Sequence, residues 1–130
     1  MDGLLIEFRI QIEPKPKGRP RFNFNSRHAY TPEDTRSYET DLKWLLGPHR
    51  PTELLEGPLQ LALEFGLVRP KSNRLKYPSV KPDLDNFEKA VMDAMEGIFF
   101  KNDSQIIAKF STKVWTPAAP YIQIRIQSLP

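Results

Sequence analysis

Apolar residues in this chain recur with two different periods, and the switching between them restricts the fold to one class. Ile6, Phe8, Ile10 and Ile12 alternate with Glu7, Arg9 and Gln11, the two-residue period of a half-buried strand. Leu59, Leu61, Leu63 and Phe65 repeat it, Ile122, Ile124 and Ile126 do so again, and Ile106 to Trp115 reads as a further strand. Leu84, Phe87, Val91, Ala94 and Met95 instead recur at a helical spacing. A second helix is predicted from Thr31 as N-cap and Pro32 as first residue, with Tyr38, Leu42 and Leu45 inward and an end before Gly47-Pro48. The order β-α-β-α-β-β predicts an α/β (α+β) fold, a single mixed sheet with helices packed on a face. The last two strands, joined by a turn over Thr116 to Pro120, are expected to form a hairpin. No internal repeat or linker interrupts the 130 residues, so one domain over 1–130 is predicted.

Composition narrows the function. The chain has no cysteine, which excludes disulfides, zinc-thiolate sites and thiol catalysis. No stretch reads as a signal peptide or membrane span, and a cytoplasmic protein without membrane contact is expected. The net charge of +3 is too small to argue for a nucleic-acid partner, but its distribution is uneven. Pro14 to Pro32 contains Lys15, Lys17, Arg19, Arg21 and Arg27 and no acid. Phe65 to Pro82 contains Arg69, Lys71, Arg74, Lys76 and Lys81, again with no acid. Both windows are rich in Pro, Gly, Asn and Ser, which predicts loops from which cations can reach a phosphate backbone.

The densest chemistry lies between Lys81 and Gln105, KPDLDNFEKAVMDAMEGIFFKNDSQ, with Asp83, Asp85 and Asp103 at the ends of one short helix and the turn after it. Chemistry on phosphate esters needs several acidic oxygens around a hard cation such as Mg²⁺, which one carboxylate rarely holds. Two aspartates two residues apart inside a helix would point about 200° apart, so Asp83 must precede the helix. Pro82 disfavours a helical Lys81, which places the helix start near Asp85 with Asp83 extended, and Gly97 stops the helix. The following turn is expected to return Asp103 to the Asp83/Asp85 corner. Asp85, Lys89 and Asp93 form a polar stripe opposite the apolar face. Capping explains part of the same pattern. Asp85 with Glu88 fits a capping box, and the Asp85/Lys89/Asp93 ladder contributes only ~0.2 to 0.5 kcal/mol per pair. A second acid upstream is surplus to a cap, which needs one acceptor. Spacing alone leaves capping and metal binding both open.

The run KPDLDNFEKAVMDAMEGIFFKNDSQI resembles the signature of the RusA family of Holliday junction resolvases, small endodeoxyribonucleases of phages, prophages and bacteria. KGRPRF at Lys17 to Phe22, YTPEDTRSYE at Tyr30 to Glu39 and PLQLALEF at Pro58 to Phe65 resemble the family in the same order. The resemblance implies that Asp83, Asp85 and Asp103 bind Mg²⁺ (or Mn²⁺) and that Lys89 is essential for catalysis. It also implies a homodimer that binds branched DNA and resolves four-way junctions by paired, symmetric nicks. The basic residues Lys15, Lys17, Arg19, Arg21, Arg27, Lys71, Arg74, Lys76 and Lys81 would then contact DNA. One position departs from the family, which usually has two adjacent aspartates before S/A-Q, whereas Asn102 precedes Asp103 here. Alternative functions are a branched-DNA-binding protein without cleavage and a less selective flap or branched-DNA nuclease.

The remaining features predict structural roles. His28 and His49 have no companion at ligand spacing, and Trp44 and Trp115 are expected at the core margin or an interface. Phe22 and Phe24 either stack on unpaired bases or anchor their loop, and Phe99 and Phe100 are expected in the core or a dimer contact.

Overall fold

The computed structural model describes residues 3–17, 21–23, 28–30 and 33–130, with side chains described at 3–17 and 36–130. The elements follow in the order β1 (Leu5–Ile10), β2 (Arg21–Asn23), β3 (His28–Tyr30), α1 (Glu33–Leu46), β4 (Leu59–Val68), α2 (Leu84–Met95), β5 (Ile106–Thr116) and β6 (Tyr121–Ser128). The main sheet is mixed, in the order β1-β6-β4-β5, with β5 parallel to β4 and the other pairs antiparallel. The predicted class and element order hold. The first basic window, read as a loop, carries in addition the short antiparallel pair β2-β3, with Arg21 opposite Tyr30. The Thr31-Pro32 helix start, Phe24, Arg19 and Arg27 lie outside the described residues, as do the side chains of Arg21, Phe22 and His28.

The expected hairpin between the last two strands does not form, because β4 lies between them. The link from Thr116 to Tyr121 crosses the end of β4, a span of about 9.6 Å at two strand spacings. The apolar pattern explains the choice. Leu59, Leu61, Leu63 and Phe65 of β4 are at most 3% exposed, which requires a strand on each side, whereas β5 leaves Ile107 and Phe110 largely in solvent. The most apolar strand takes the centre.

One face of the sheet carries the core. Phe8 and Ile10, the β4 residues, and Ile122, Ile124 and Ile126 pack against Phe87, Ala90, Val91, Ala94 and Met95 of α2 and Tyr38, Leu42 and Leu46 of α1. Phe65 and Phe87 meet at 5.1 Å, and Phe99 and Phe100 are fully buried. The inner stripe of α1 runs through 38, 42 and 46, so Leu45, expected inside, falls at its margin and is 36% exposed. Trp44, expected at the core margin or an interface, is exposed, and His49 stacks on Phe8 at 4.1 Å.

The opposite face is polar and partly wet. Arg9 lies 3.7 Å over the Tyr121 ring and donates to Gln123 at 2.8 Å, while the Tyr121 hydroxyl donates to Glu64 at 2.6 Å. The Tyr121 ring lies on Gly66, where a Cβ would come within 2.2 Å of a ring carbon. Gly66→Ala must therefore displace Tyr121, and chemical denaturation should show a loss of about 1 to 3 kcal/mol.

Candidate metal centre

The helix α2 begins at Leu84, with Asp83 as its extended N-cap at φ −72° and ψ 155°. The two aspartates thus straddle the helix start, as expected from the geometry of sharing an ion. Neither works as a cap. Asp83 makes no side-chain capping bond, and Glu88, the capping-box partner predicted for Asp85, turns inward to β5. There the Ser111 hydroxyl donates to it and the Lys109 ammonium lies 3.1 Å away, which satisfies a carboxylate only 7% exposed. The side chains of Asp83 and Asp85 are exposed and have no hydrogen-bond or ion-pair partner among the described residues.

The other end of α2 holds the acids that converge. Asp93, Glu96 and Asp103, all half-buried, place carboxylate oxygens within 4.8 Å of one another. Asp103 does not return to the Asp83/Asp85 corner. Eight residues separate Asp85 from Asp93, about 12 Å at ~1.5 Å per residue, and β5 starts beside the C-terminal end of the helix. Glu96 is the C-cap of α2, and Gly97 at φ +88° ends the helix as its glycine predicts. Sequence reasoning missed Glu96, which carries no pattern of its own, and read Asp93 as a rung of an ion-pair ladder and a partner for Lys89 rather than as a ligand.

Asn102 and Gln105 hold the turn that presents Asp103. The Asn102 side chain accepts from the Ser104 amide at 2.8 Å, and the Gln105 side-chain oxygen Oε1 accepts from the Asn102 amide at 3.0 Å. Gln105 Nε2 donates to the carbonyls of Leu55 and Gly57 at 2.9 and 3.1 Å. The position that departs from the family pattern thus has a local role that aspartate would fill equally, because capping needs only an acceptor oxygen.

Two lysines reach the Asp93 end. Lys89 Nζ lies 3.3 Å from Asp93 Oδ1, pairing forward along the helix. Lys17 Nζ sits 3.2 Å from both Asp93 Oδ2 and Glu39 Oε1. Burial alone would lower the Lys17 pKa, but its bonds to Glu39 and Asp93 prevail and hold it above its ordinary value. Lys17 is delivered by Tyr38, whose hydroxyl donates to the Glu13 carbonyl at 2.7 Å and accepts from the Lys15 amide at 3.1 Å. Burial raises the Tyr38 phenol to about 12, opposed by the Lys15 bond and aided by Glu13.

The second basic window is a loop, as predicted, with Lys71, Arg74, Lys76 and Lys81 exposed. Trp115 anchors it by donating to the Leu75 carbonyl at 3.0 Å, and Lys113 by donating to the Val80 and Pro82 carbonyls at 2.8 and 3.1 Å. The loop therefore ends at Asp83, with Lys81 two residues before it. Lys15 is exposed as well, whereas the Lys17 charge is neutralised by its two carboxylates.

Residues 11–127 match the family model described as Endodeoxyribonuclease RusA. The chain belongs to the RusA endodeoxyribonuclease family, a class of nucleases acting on DNA. It is similar to the uncharacterized protein YqaN of Bacillus subtilis (strain 168), at 26% identity over 138 residues covering 95% of this chain and 96% of that one. The donors at both ends of α2 are carboxylates, hard oxygen ligands that suit Mg²⁺ or Mn²⁺. No helix among the described residues is long and apolar enough to cross a membrane.

Two outcomes are expected. Asn102→Asp should leave stability unchanged, while Asn102→Ala should cost about 0.5 to 2 kcal/mol in urea unfolding. Tyr38→Phe should destabilise by about 1 kcal/mol at pH 8. That difference should narrow above pH ~10, where the unfolded tyrosine ionises before the folded one and the wild type alone loses stability.

Proposed function

We propose that this chain is a Mg²⁺-dependent, structure-specific endodeoxyribonuclease that resolves four-way DNA junctions by paired symmetric nicks. The observation that carries this assignment is the state of Asp83 and Asp85. Both side chains are exposed and, among the described residues, unpartnered at a helix start where neither caps the helix, at the end of a cationic loop, in a chain of the RusA family. Carboxylates kept free of partners at such a position are available to a ligand.

Of Asp83, Asp85 and Asp103, the three aspartates that the family resemblance assigns to the cation, Asp83 and Asp85 share the helix start and would hold it there, while Asp103 stands with Asp93 and Glu96 at the other end of α2. When bound, Mg²⁺ supplies an acidified water and polarises the scissile phosphodiester. Lys89, with its exposed ammonium one turn from Asp85, would stabilise charge on the phosphoryl oxygens, and Asp93 holds it in place at 3.3 Å. Lys71, Arg74, Lys76 and Lys81, with Lys15, Arg19, Arg21 and Arg27 from the first window, would grip the phosphate backbone. Their positive charge offsets the repulsion between an acidic site and a polyanion. Two nicks related by symmetry call for two sites, which a two-fold homodimer provides.

Cleavage of a synthetic four-way junction, a fork and a linear duplex at one salt concentration tests the assignment. Junction cleavage should require Mg²⁺ or Mn²⁺. Asp85→Asn should lower its rate by about 100-fold or more, roughly 2.7 kcal/mol, with junction binding retained. Equal cleavage of linear duplex would overturn junction specificity. Binding without cleavage by the wild type would leave a branched-DNA-binding protein. Junction affinity should fall with salt at a log-log slope of about −0.9 per phosphate contacted.

A further inference from the structure

Three tyrosines have described side chains, and Tyr77 stands apart from the other two. Tyr38 and Tyr121 are buried, and their hydroxyls donate to the Glu13 carbonyl and the Glu64 carboxylate. Tyr77 is 64% exposed, and its hydroxyl has no hydrogen bond among the described residues. The one charged or aromatic partner of its ring there is the Lys76 ammonium, 5.5 Å from the ring centre. A single exposed aromatic residue is ordinary on a protein surface. Tyr77 is distinguished by how firmly its loop is held and by what surrounds it.

The backbone around Tyr77 is fixed at both ends. Trp115 Nε1 donates to the Leu75 carbonyl at 3.0 Å, and Lys113 Nζ donates to the Val80 and Pro82 carbonyls. Lys113 and Trp115 are two residues apart on β5 and project from one face of it, about 6.6 Å apart at ~3.3 Å per residue. The stretch from Leu75 to Pro82 therefore starts and finishes at neighbouring anchors, and Asp83 follows directly. Between the anchors the chain turns tightly, with the Ser79 amide donating to the Tyr77 carbonyl at 2.8 Å. Pro78 is buried while Tyr77 beside it is not. A loop pinned in this way holds the ring in solvent without the ordering cost that a free loop incurs on binding.

The surrounding charge identifies the ligand. Phe65 to Pro82 contains no acid, and Arg69, Lys71, Arg74, Lys76 and Lys81 supply five positive charges. Cations attract a phosphate backbone of any shape, and an aromatic ring set among them adds a flat face for a base. In a linear duplex each internal base is stacked on both faces and out of reach of such a ring. Where strands exchange partners at an open branch, the last base pair of each arm has one bare face. Charge alone binds both DNAs, whereas a stacking ring separates them. Asp83 follows Tyr77 by six residues, at most about 21 Å of extended chain. A phosphate held at the Asp83/Asp85 corner would thus lie within about six nucleotides of the stacked base, at ~3.4 Å per nucleotide.

We propose that Tyr77 is a specificity-determining residue that stacks on the bare base at the branch point, so that its loop recognises branched DNA by an unstacked base as well as by phosphate. The stacking role rests on the branched-DNA reading given above and adds the contact that separates a junction from a duplex.

Binding to a four-way junction carrying 2-aminopurine at the branch, and to a linear duplex of the same arm sequence, tests this role, with EDTA present to prevent cleavage. The wild type should bind the junction more tightly than the duplex and quench the 2-aminopurine fluorescence. Tyr77→Ala should lose about 5- to 150-fold in junction affinity, the range that one stacked base contributes. It should change duplex affinity by less than about 2-fold, quench nothing and keep the wild-type circular dichroism spectrum, since the side chain it removes is exposed. Its log-log salt slope should stay at the wild-type value because no phosphate contact is removed, whereas Lys76→Ala should make the slope shallower by about 0.9. Tyr77→Phe should retain both affinity and quenching, because stacking needs the ring and not the hydroxyl. A Tyr77→Ala chain that keeps the junction preference and the quenching, or that weakens junction and duplex alike, would overturn the stacking role and leave junction recognition standing. A wild type with no preference for the junction over the duplex would overturn the branched-DNA reading and the stacking role with it.

Discussion

The contact between Glu88 and β5 sets the layout of everything chemical in this molecule. A carboxylate 7% exposed must be hydrogen-bonded and charge-paired, and Ser111 and Lys109 meet both needs. Because that pair lies midway along β5, it locks α2 antiparallel to the edge strand with its start near Lys113 and its end near Ile106. The Asp83/Asp85 corner is thereby carried to one end of β5 and Asp103 to the other. Separation of the acids is a consequence of a packing interaction that involves none of them.

Supporting residues do as much as the acids themselves. Tyr38 bridges the Glu13 to Lys15 backbone and so positions Lys17, which in turn neutralises part of the negative charge at Asp93 and Glu39. Gln105 ties the turn bearing Asp103 to the carbonyls of Leu55 and Gly57, giving an exposed turn a fixed place against the body of the protein. Trp115 and Lys113 do the same for the basic loop that leads to Asp83. Rigid placement matters because carboxylates and cations act on a phosphate only when held near it.

Much of the fold was legible in the sequence. The two-residue period of Leu59 to Phe65 and of Ile122 to Ile126, and the helical spacing from Leu84 to Met95, report burial directly and appear as strands and a helix where expected. The strand order was not legible, since β5 and β6 each alternate acceptably as neighbours and only the demand for two-sided burial puts β4 between them. Asp83 as the residue before the helix was readable from Pro82 and the 3.6-residue period. The roles of Glu88 and Asn102 were not: Glu88 matched a capping spacing, and its true partners are more than twenty residues away.

The sequence by itself determined which elements form, where α2 begins and ends, and which acids stand free of the apolar face, because periodicity, proline and glycine act over a few residues. Only the tertiary structure decided that Asp103 joins Asp93 and Glu96 rather than Asp83 and Asp85, and that β5 lies at the sheet edge. Those outcomes depend on contacts between distant segments, chiefly the burial of Glu88 against β5 and of β4 between its neighbours, and no local pattern encodes the direction in which a helix is laid across a strand.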